Sequence, residues 1–288
     1  MNKVQDYDSI TYDYRKYWKD RKYENLSEIN FILKLIKGGY SFIDIGGGYG
    51  RLSSIYKGKF KYSILFDYSI NNLLKSKKYK NIYLVSGDIY SLPFKNRSID
   101  YGMIIRVMHH IENPNEALGE VLRVINKGLI LEFANKDHFL ARVKHINDKG
   151  FKTQEIYHIP HSKDSQGFKD DQVFLNFSFS LIKRIIEDNG FRIKKIYSVS
   201  NFREKYIKKF IPLKMLIFAD NLMQPIFRKL LFGPSIFLYV ERCSDIQKTE
   251  AMFEDIIICS KDKGKIVSGK CIICKSKFFQ NGIYNLKN

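Results

Sequence analysis

With 288 residues, 44% of them hydrophobic and 15% aromatic, the chain has material for one α/β domain of ordinary size plus an appended module, which excludes a fibre or a disordered chain. No apolar run approaches the roughly 20 residues needed to span a bilayer, the polar, tyrosine-rich first twenty residues lack the apolar segment of a secretory signal, and the four cysteines form no bridge framework, so a cytoplasmic location is expected. The net charge of +19 suits a phosphate polymer, an anionic membrane or an acidic metabolite, but lysine runs along the whole chain with abundant Ile, Asn and Tyr, which reads equally as compositional bias.

In chain order, Tyr7, Tyr12, Tyr14, Tyr17, Trp18 and Tyr23 are interleaved with Arg15, Lys16 and Arg21 ahead of a helix expected over 27–36. By composition alone, these aromatics pack one more helix on a sheet. Residues 42–51 (FIDIGGGYGR) read as a buried strand running into a glycine turn that opens a helix. Gly46, Gly48 and Gly50 leave no Cβ in the way, so a ligand can approach the backbone closely. A dinucleotide fingerprint needs G-x-G-x-x-G, and in that register Arg51 stands where the third glycine belongs. With Asp44 two residues ahead of the first glycine, the pattern is D-x-G-x-G-x-G.

A second strand at 62–65 ends in Phe66-Asp67-Tyr68-Ser69, which puts the Asp67 carboxylate at a strand's carboxyl end, where a ribose diol would lie. A third strand at 82–85 leads into Ser86-Gly87-Asp88-Ile89, and a fourth at 102–106 into Val107-Met108-His109-His110. A helix over 114–124 carries Ala117, Leu118, Val121 and Leu122 on one face with Glu116 and Glu120 outward. A fifth strand follows at 128–133. Residues 136–171 form a long polar stretch holding His138, His145, His158 and His161 at irregular spacing, which by itself makes no metal site. A helix over 179–189 closed by Gly190, a strand at 192–199 and a strand at 235–240 complete seven strands. Between the last two, residues 201–234 read as two amphipathic helices, apolar but flanked by Arg203, Lys205, Lys208, Lys209, Lys214, Arg228 and Lys229. Such a basic pair caps a substrate pocket, touches a membrane surface, holds a partner, or only closes over the sheet edge with its lysines solvated.

The ordered set over about residues 40–135 resembles class I S-adenosylmethionine-dependent methyltransferases of the ubiquinone/menaquinone-biosynthesis type. The resemblance implies a Rossmann-like seven-stranded sheet flanked by helices, spanning 1–245. It implies that Asp44 holds the cofactor's ammonium, the backbone at Gly46, Gly48 and Gly50 its amino-acid end, and Asp67, Tyr68, Asp88 and Ile89 its nucleoside. It also implies that Arg106 borders the cofactor and, with His109 and His110, lies where the acceptor enters, that either histidine takes the acceptor's proton or only lines the cofactor, and that the aromatic segment ahead of the first helix forms a lid over the cofactor. One departure is Asn126-Lys127-Gly128, shorter than the family's usual proline-glycine-glycine turn.

The tail, 252–288, contains Cys259, Cys271-Ile272-Ile273-Cys274 and an ending Gly282-Ile283-Tyr284-Asn285-Leu286. It resembles the small zinc-ribbon-like family that activates tRNA and release-factor methyltransferases, with Asp262 where that family's second cysteine belongs. Cys259, Asp262, Cys271 and Cys274 then hold Zn2+, or the module packs without metal. A plain physical use for such a module is to cover an exposed sheet edge.

Methyl transfer from a sulfonium needs mainly alignment in a dry pocket, so few catalytic residues are required. The first reading is transfer to a small apolar or phenolic acceptor. The second is a wobble-uridine-type tRNA methyltransferase, favoured by charge and tail but lacking a recognised RNA-binding module. The third is a non-catalytic cofactor-binding scaffold. The identity of any protein partner is not legible.

Overall fold

The structure, a computed structural model, describes residues 17–76, 82–159, 174–245 and 250–287. Tyr7, Tyr12, Tyr14, Arg15, Lys16 and His161 lie outside the described residues. Helix α1 (Lys22–Leu35) begins five residues ahead of the expected start. Five parallel strands follow: β1 (Gly39–Ile45), β2 (Phe60–Asp67), β3 (Ile82–Ser86), β4 (Ile99–Ile104) and β5 (Ile125–Ala134). Short helices α2 (Ser53–Tyr56) and α3 (Ile70–Lys75) and the longer α4 (Pro114–Val124) connect them. After β5 come α5 (Phe139–Lys144), α6 (Lys149–Thr153) and a small ladder of β6 (Ile156–His158) with β7 (Leu175–Phe177). Helix α7 (Phe179–Asp188) leads into β8 (Phe191–Val199), which pairs antiparallel with β9 (Ser235–Arg242), itself antiparallel to β5.

Local sequence explains the best-defined of these elements. Asn113 caps α4 by accepting the Glu116 N–H, and Pro114 occupies the first turn, where no N–H is needed. Ser178 caps α7 through the Leu181 N–H, and Gly190, at φ 76°, ends it. Strand alternation sorts side chains between two layers. Ile43, Ile45, Leu129, Leu131, Ile236 and Leu238 join the core under α4 and α7. Phe42, Ile130, Phe237 and Tyr239 join the opposite core with Phe31 and Ile32 of α1.

The sheet departs from the seven strands expected. All seven expected segments are in it, but among the described residues it has nine strands, in the order β12-β13-β3-β2-β1-β4-β5-β9-β8. The extra pair is a hairpin of β12 (Phe279–Gln280) and β13 (Ile283–Asn285), and β13 lies parallel to β3 with Ile283 opposite Leu84 and Asn285 opposite Ser86. The tail thereby satisfies backbone groups that β3 would otherwise expose at the sheet edge. Its helix α11 (Phe253–Ile256) fixes the other side of the contact: the buried Phe253 ring stacks on Tyr83 at 3.9 Å, and Lys95 N–H donates to Ile256 O at 3.0 Å. A two-stranded ladder, β10 (Ile266–Val267) with β11 (Lys270–Cys271), completes it.

Three local expectations change. Strand β4 runs over 99–104 rather than 102–106, so Arg106 sits past its end at φ 62°. Glu120 is half-buried, because its carboxylate accepts the Leu92 N–H at 2.7 Å and binds Arg123. The insertion forms three helices, α8 (Lys205–Phe210), α9 (Leu213–Leu222) and α10 (Gln224–Leu230), since Pro212 and Pro225 each force a restart. Helix α9 is tied to α1 by Asp220, which accepts from Tyr23 Oη at 2.6 Å, Ser27 Oγ at 2.8 Å and Asn201 Nδ2 at 2.7 Å. Among the described residues no helix is long and apolar enough to cross a membrane.

Candidate active site

The glycine turn after β1 is conformationally specified. Gly46, Gly48 and Gly50 have φ of 68°, 57° and 76°, where a side chain strains the backbone. A Cβ on Gly46 would meet Val107 Cγ2 at 2.3 Å, whereas one on Gly48 would find nothing nearer than Asp67 Oδ2 at 4.0 Å. The first position is closed by packing and the second is open to a ligand. Asp67, at the end of β2, accepts the Gly48 N–H through Oδ2 and the Ser69 N–H through Oδ1, both at 2.8 Å. Asp44 is buried and accepts the Tyr56 hydroxyl at 3.2 Å. Burial pushes its carboxyl up to about 7, against the Tyr56 hydrogen bond and the Arg51 charge, with Asp67 adding to the rise.

These groups border one cavity of about 360 Å³. Asp44, Gly46, Gly48, Asp67, Tyr68, Ile89, Arg106, His109 and His110 all line it; Gly50 and Asp88 do not. Gly50 instead donates its N–H to Gly47 O within the turn, and Asp88 accepts the Tyr90 N–H at 2.9 Å. His109 lies nearly parallel to Phe174, with ring centroids 5.3 Å apart, and its centroid is 4.0 Å from that of His110. Burial, then the neighbouring His110 and Arg106, hold its imidazole well below the usual range, so it is neutral at neutral pH. Of the loop histidines, His138 reaches the cavity wall; His145 packs on Phe151 instead.

Arg106 does more than border the cavity. Its guanidinium binds Glu28 at 2.5 Å, and Glu28 also binds Arg51 at 2.7 Å. Glu28 has no exposed side-chain surface, so one carboxylate of α1 holds both the residue after the glycine turn and the residue after β4. Burial alone would lower the Arg106 pKa, but Glu28 and Glu132 outweigh it and raise it. Glu132 accepts the Arg106 backbone N–H at 2.8 Å and the Ser235 hydroxyl at 2.7 Å. Trp18 covers the pair, with the Arg51 guanidinium 3.8 Å from its ring.

Sequence reasoning missed Glu28, Glu132 and two further wall residues, Glu24 and Ser200. Glu24 Oε1 accepts Lys208 Nζ at 2.6 Å, while Glu24 Oε2 and Ser200 Oγ are buried without a hydrogen-bond partner among the described residues. Both residues line the cavity. A bare helical Glu or a strand-end Ser carries no local signal of this, because burial comes from α1 meeting the chain after β8.

In the tail, the candidate ligand atoms of Cys259, Asp262, Cys271 and Cys274 lie within 4.8 Å of one another. Cys259 Sγ is 3.7 Å from Cys274 Sγ, and Cys271 Sγ is 3.3 Å from Asp262 Oδ1. Ligands about 2.3 Å from a tetrahedral metal are roughly 3.7 Å apart, so the spacing fits one ion. Gly264 is required beside them, since a Cβ there would stand 2.8 Å from Asp262 Oδ1 and 3.0 Å from Cys271 Sγ. The Gly264 N–H chiefly holds the Asp262 carboxyl below its usual range, and burial pushes the Cys259 thiol up to about 11. Cys243 is exposed and outside this group.

The family model for a methyltransferase domain matches residues 43–133. An uncharacterized protein of Methanocaldococcus jannaschii is 36% identical over 149 residues, covering 49% of this chain and 61% of its own length. The demethylmenaquinone methyltransferase of Paenarthrobacter aurescens is 30% identical over 104 residues, 36% of this chain and 41% of that enzyme. The chain thus spans less than two thirds of these curated relatives. Among solved structures, a chain of the complex between the Haloferax volcanii Trm112 methyltransferase activator and a methyltransferase aligns with TM-score 0.55 and 15% identity, over 84% of this chain and all 100% of that one. Magnesium protoporphyrin IX methyltransferase from Synechocystis PCC 6803, with bound SAH, aligns with TM-score 0.52 and 18% identity, over 80% of this chain and 92% of that one. At these identities the structural likeness concerns the fold. Fold and glycine turn agree with the family match, by which residues 43–133 form a methyltransferase domain.

Proposed function

We propose that this chain transfers a methyl group from S-adenosylmethionine to a small apolar or phenolic acceptor by in-line displacement, as a cytoplasmic enzyme with its catalytic domain in 1–245 and an activator-like module in 252–288. The observation that carries this reading is the cavity lined in common by the glycine turn, Asp67, His109, His110, Glu24 and Ser200. When bound, the cofactor supplies an electrophilic methyl on a sulfonium. Asp44 pairs with its ammonium, the open backbone at Gly48 meets its amino-acid end, and Asp67 and Tyr68 take the nucleoside, with Ile89 against the base. Asp88 and Gly50 are supporting residues, shaping the loops from outside the cavity.

The unpartnered Glu24 and Ser200 oxygens suit a hydroxyl on the acceptor, which satisfies them and is oriented by them. With that hydroxyl's proton on Glu24, neutral His109 donates its ring N–H to the hydroxyl oxygen, and its depressed pKa makes it a weak base, so its part is orientation more than proton removal. Aromatic walls from Trp18 and Phe174 exclude water.

The raised Asp44 pKa gives a pH dependence. In the free protein the carboxyl is largely protonated below about 7, and pairing with an ammonium requires it ionised. Cofactor affinity is therefore expected to rise on the order of tenfold between about pH 6 and pH 7.5, with close to one proton released on binding at the lower pH. Titration calorimetry in two buffers of different ionisation enthalpy reads both quantities. Flat affinity without proton release removes Asp44 from the ammonium.

A second reading, a tRNA methyltransferase of the wobble-uridine type, is supported by the pairing of the tail with β3 and by the likeness to a chain of the Haloferax activator complex. In the same proposal the tail cluster holds Zn2+, which metal analysis of the purified chain tests at an expected content of about one ion per chain. The deciding experiment for the acceptor adds the protein and isotopically labelled S-adenosylmethionine to extract lacking it. Label in the organic-soluble fraction supports the first reading. Nuclease-sensitive label replaces it with the second.

A further inference from the structure

Helix α9 has two unlike faces. Leu216 and Asp220 are buried against α1, whereas Met215, Phe218 and Leu222, spaced as one helical stripe, are exposed at 60%, 67% and 67%, with Ile211 just ahead of the helix exposed at 40%. The outward surface is thus the apolar one, the reverse of an ordinary surface helix. It continues into Tyr206 and Phe210 of α8, 77% and 75% exposed, and into Ile226 and Leu230 of α10. A second exposed apolar helix adjoins it. Leu140, Val143 and Ile146 on and beyond α5 are exposed, and α5 is fastened to the end of α10 by Arg142 donating to Leu230 O at 2.6 Å and Phe139 N–H donating to Phe232 O at 3.0 Å.

The charge on this surface is predominantly positive, with Glu204 and Asp148 as its exposed acids against nine exposed cations. Lys205, Lys209, Lys214, Arg228 and Lys229 are exposed among the apolar side chains, joined by Arg142, Lys144, Lys149 and Lys152 from the adjoining segment. Of the acids in 201–234, Asp220 is buried and only Glu204 is exposed. Large apolar side chains flanked by lysines match an interfacial membrane helix, whose apolar face enters the headgroup boundary while its cations meet anionic lipid. A nucleic-acid groove would place aromatics as stacking platforms, not Met, Ile and Leu in a helical stripe. The surface also lies beside the cavity: His138 immediately precedes α5, Arg203 precedes α8, and Ile159 follows β6, and all three line the cavity.

We propose that α8–α10 and α5 form a docking face for an anionic membrane surface, through which a bilayer-dissolved acceptor reaches the cavity. The docking stands on the surface itself; the delivery of an acceptor rests on the methyl-transfer reading. The two are separated by measuring binding alone. The full chain is sedimented with vesicles of phosphatidylcholine, with and without about one third phosphatidylglycerol, at low and at roughly 0.5 M salt. Anionic vesicles are expected to retain the wild type, and a residual fraction to persist at high salt because apolar insertion is not screened.

The triple variant Met215→Ser, Phe218→Ser, Leu222→Ser removes only exposed groups and leaves the cavity residues untouched, so cofactor binding should persist while vesicle partitioning falls at least tenfold. Replacing Lys209, Lys214 and Lys229 by Gln should abolish the preference for anionic lipid. Equal sedimentation of wild type and triple variant overturns the proposal, as does complete loss of binding at high salt. A wild type that is dimeric by light scattering, becomes monomeric in the triple variant and ignores vesicles assigns the face to a second copy and also overturns it. Loss of methyl transfer with vesicle binding intact faults the acceptor reading alone.

Discussion

Phe253→Ala is expected to destabilise the protein by about 3–5 kcal/mol, the usual cost of truncating a buried aromatic ring. Phe253 has no exposed surface; it stacks on Tyr83, meets Tyr62 and Tyr284 edge-on, and so anchors the tail to the face of β3. At this chain length each kcal/mol corresponds to about 2–4 °C in melting temperature, so the loss is plain in a thermal scan. Ending the chain after Cys243 goes further. It uncovers Tyr83 and the backbone edge of β3 now paired with β13, and an unpaired strand edge with apolar neighbours associates. Aggregation of that truncated form, followed by light scattering on mild warming, is the expected outcome; a soluble and fully active truncated chain would show that the tail is dispensable to the fold.

The second large effect is expected from Glu28→Ala. Removing the carboxylate leaves Arg51 and Arg106 facing each other across a buried gap, and breaking a buried pair from one side costs about 3–5 kcal/mol. Burial pushes the Glu28 carboxyl up, but Arg106 and Arg51 outweigh it and the net shift is downward. For a depressed carboxylate the associated stability is complete above its ordinary pKa and is lost as the pH falls below it. The wild type should therefore lose this contribution only in acid, below about pH 4, while Glu28→Ala lacks it throughout. Because Arg51 follows the glycine turn and Arg106 follows β4, the variant should also weaken cofactor binding, by at least roughly tenfold if the loosened turn costs about 1.4 kcal/mol. Chemical denaturation at pH 7 and at about pH 3, together with calorimetric cofactor titration at pH 7, checks both; a variant whose stability and affinity match the wild type at pH 7 would show that the two arginines need no partner.

Much of the sheet was legible because its signals are local. Buried strands read as short apolar runs, α4 and α7 carry their own caps and apolar faces, and the positive φ of Gly46, Gly48 and Gly50 was readable from the glycines themselves. The cavity-lining residues Asp44, Asp67, Tyr68 and Ile89 were found because the carboxyl ends of parallel strands converge on one edge, so chain order alone brings them together. Where neighbours intervene, local reading failed at the margins. Arg106 was counted in its strand because it follows an apolar run, yet its pairing with Glu28 and Glu132 and its left-handed φ take it out.

What the sequence by itself determined is the order of strands and turns, the glycine loop and the acids at strand ends, all set by residues within a few positions of one another. Only the tertiary structure decided the rest. Glu28 lies 23 residues from Arg51 and 78 from Arg106, and β13 finds the edge of β3 about two hundred residues away in the chain. The exposed stripe on α9 has the same spacing that a buried one would have, so periodicity reports an apolar face but not its direction. Burial is a property of the partner as much as of the helix. Asp220, fixed by Tyr23 and Ser27 of α1, turns the polar contact inward and leaves Met215, Phe218 and Leu222 to the outside.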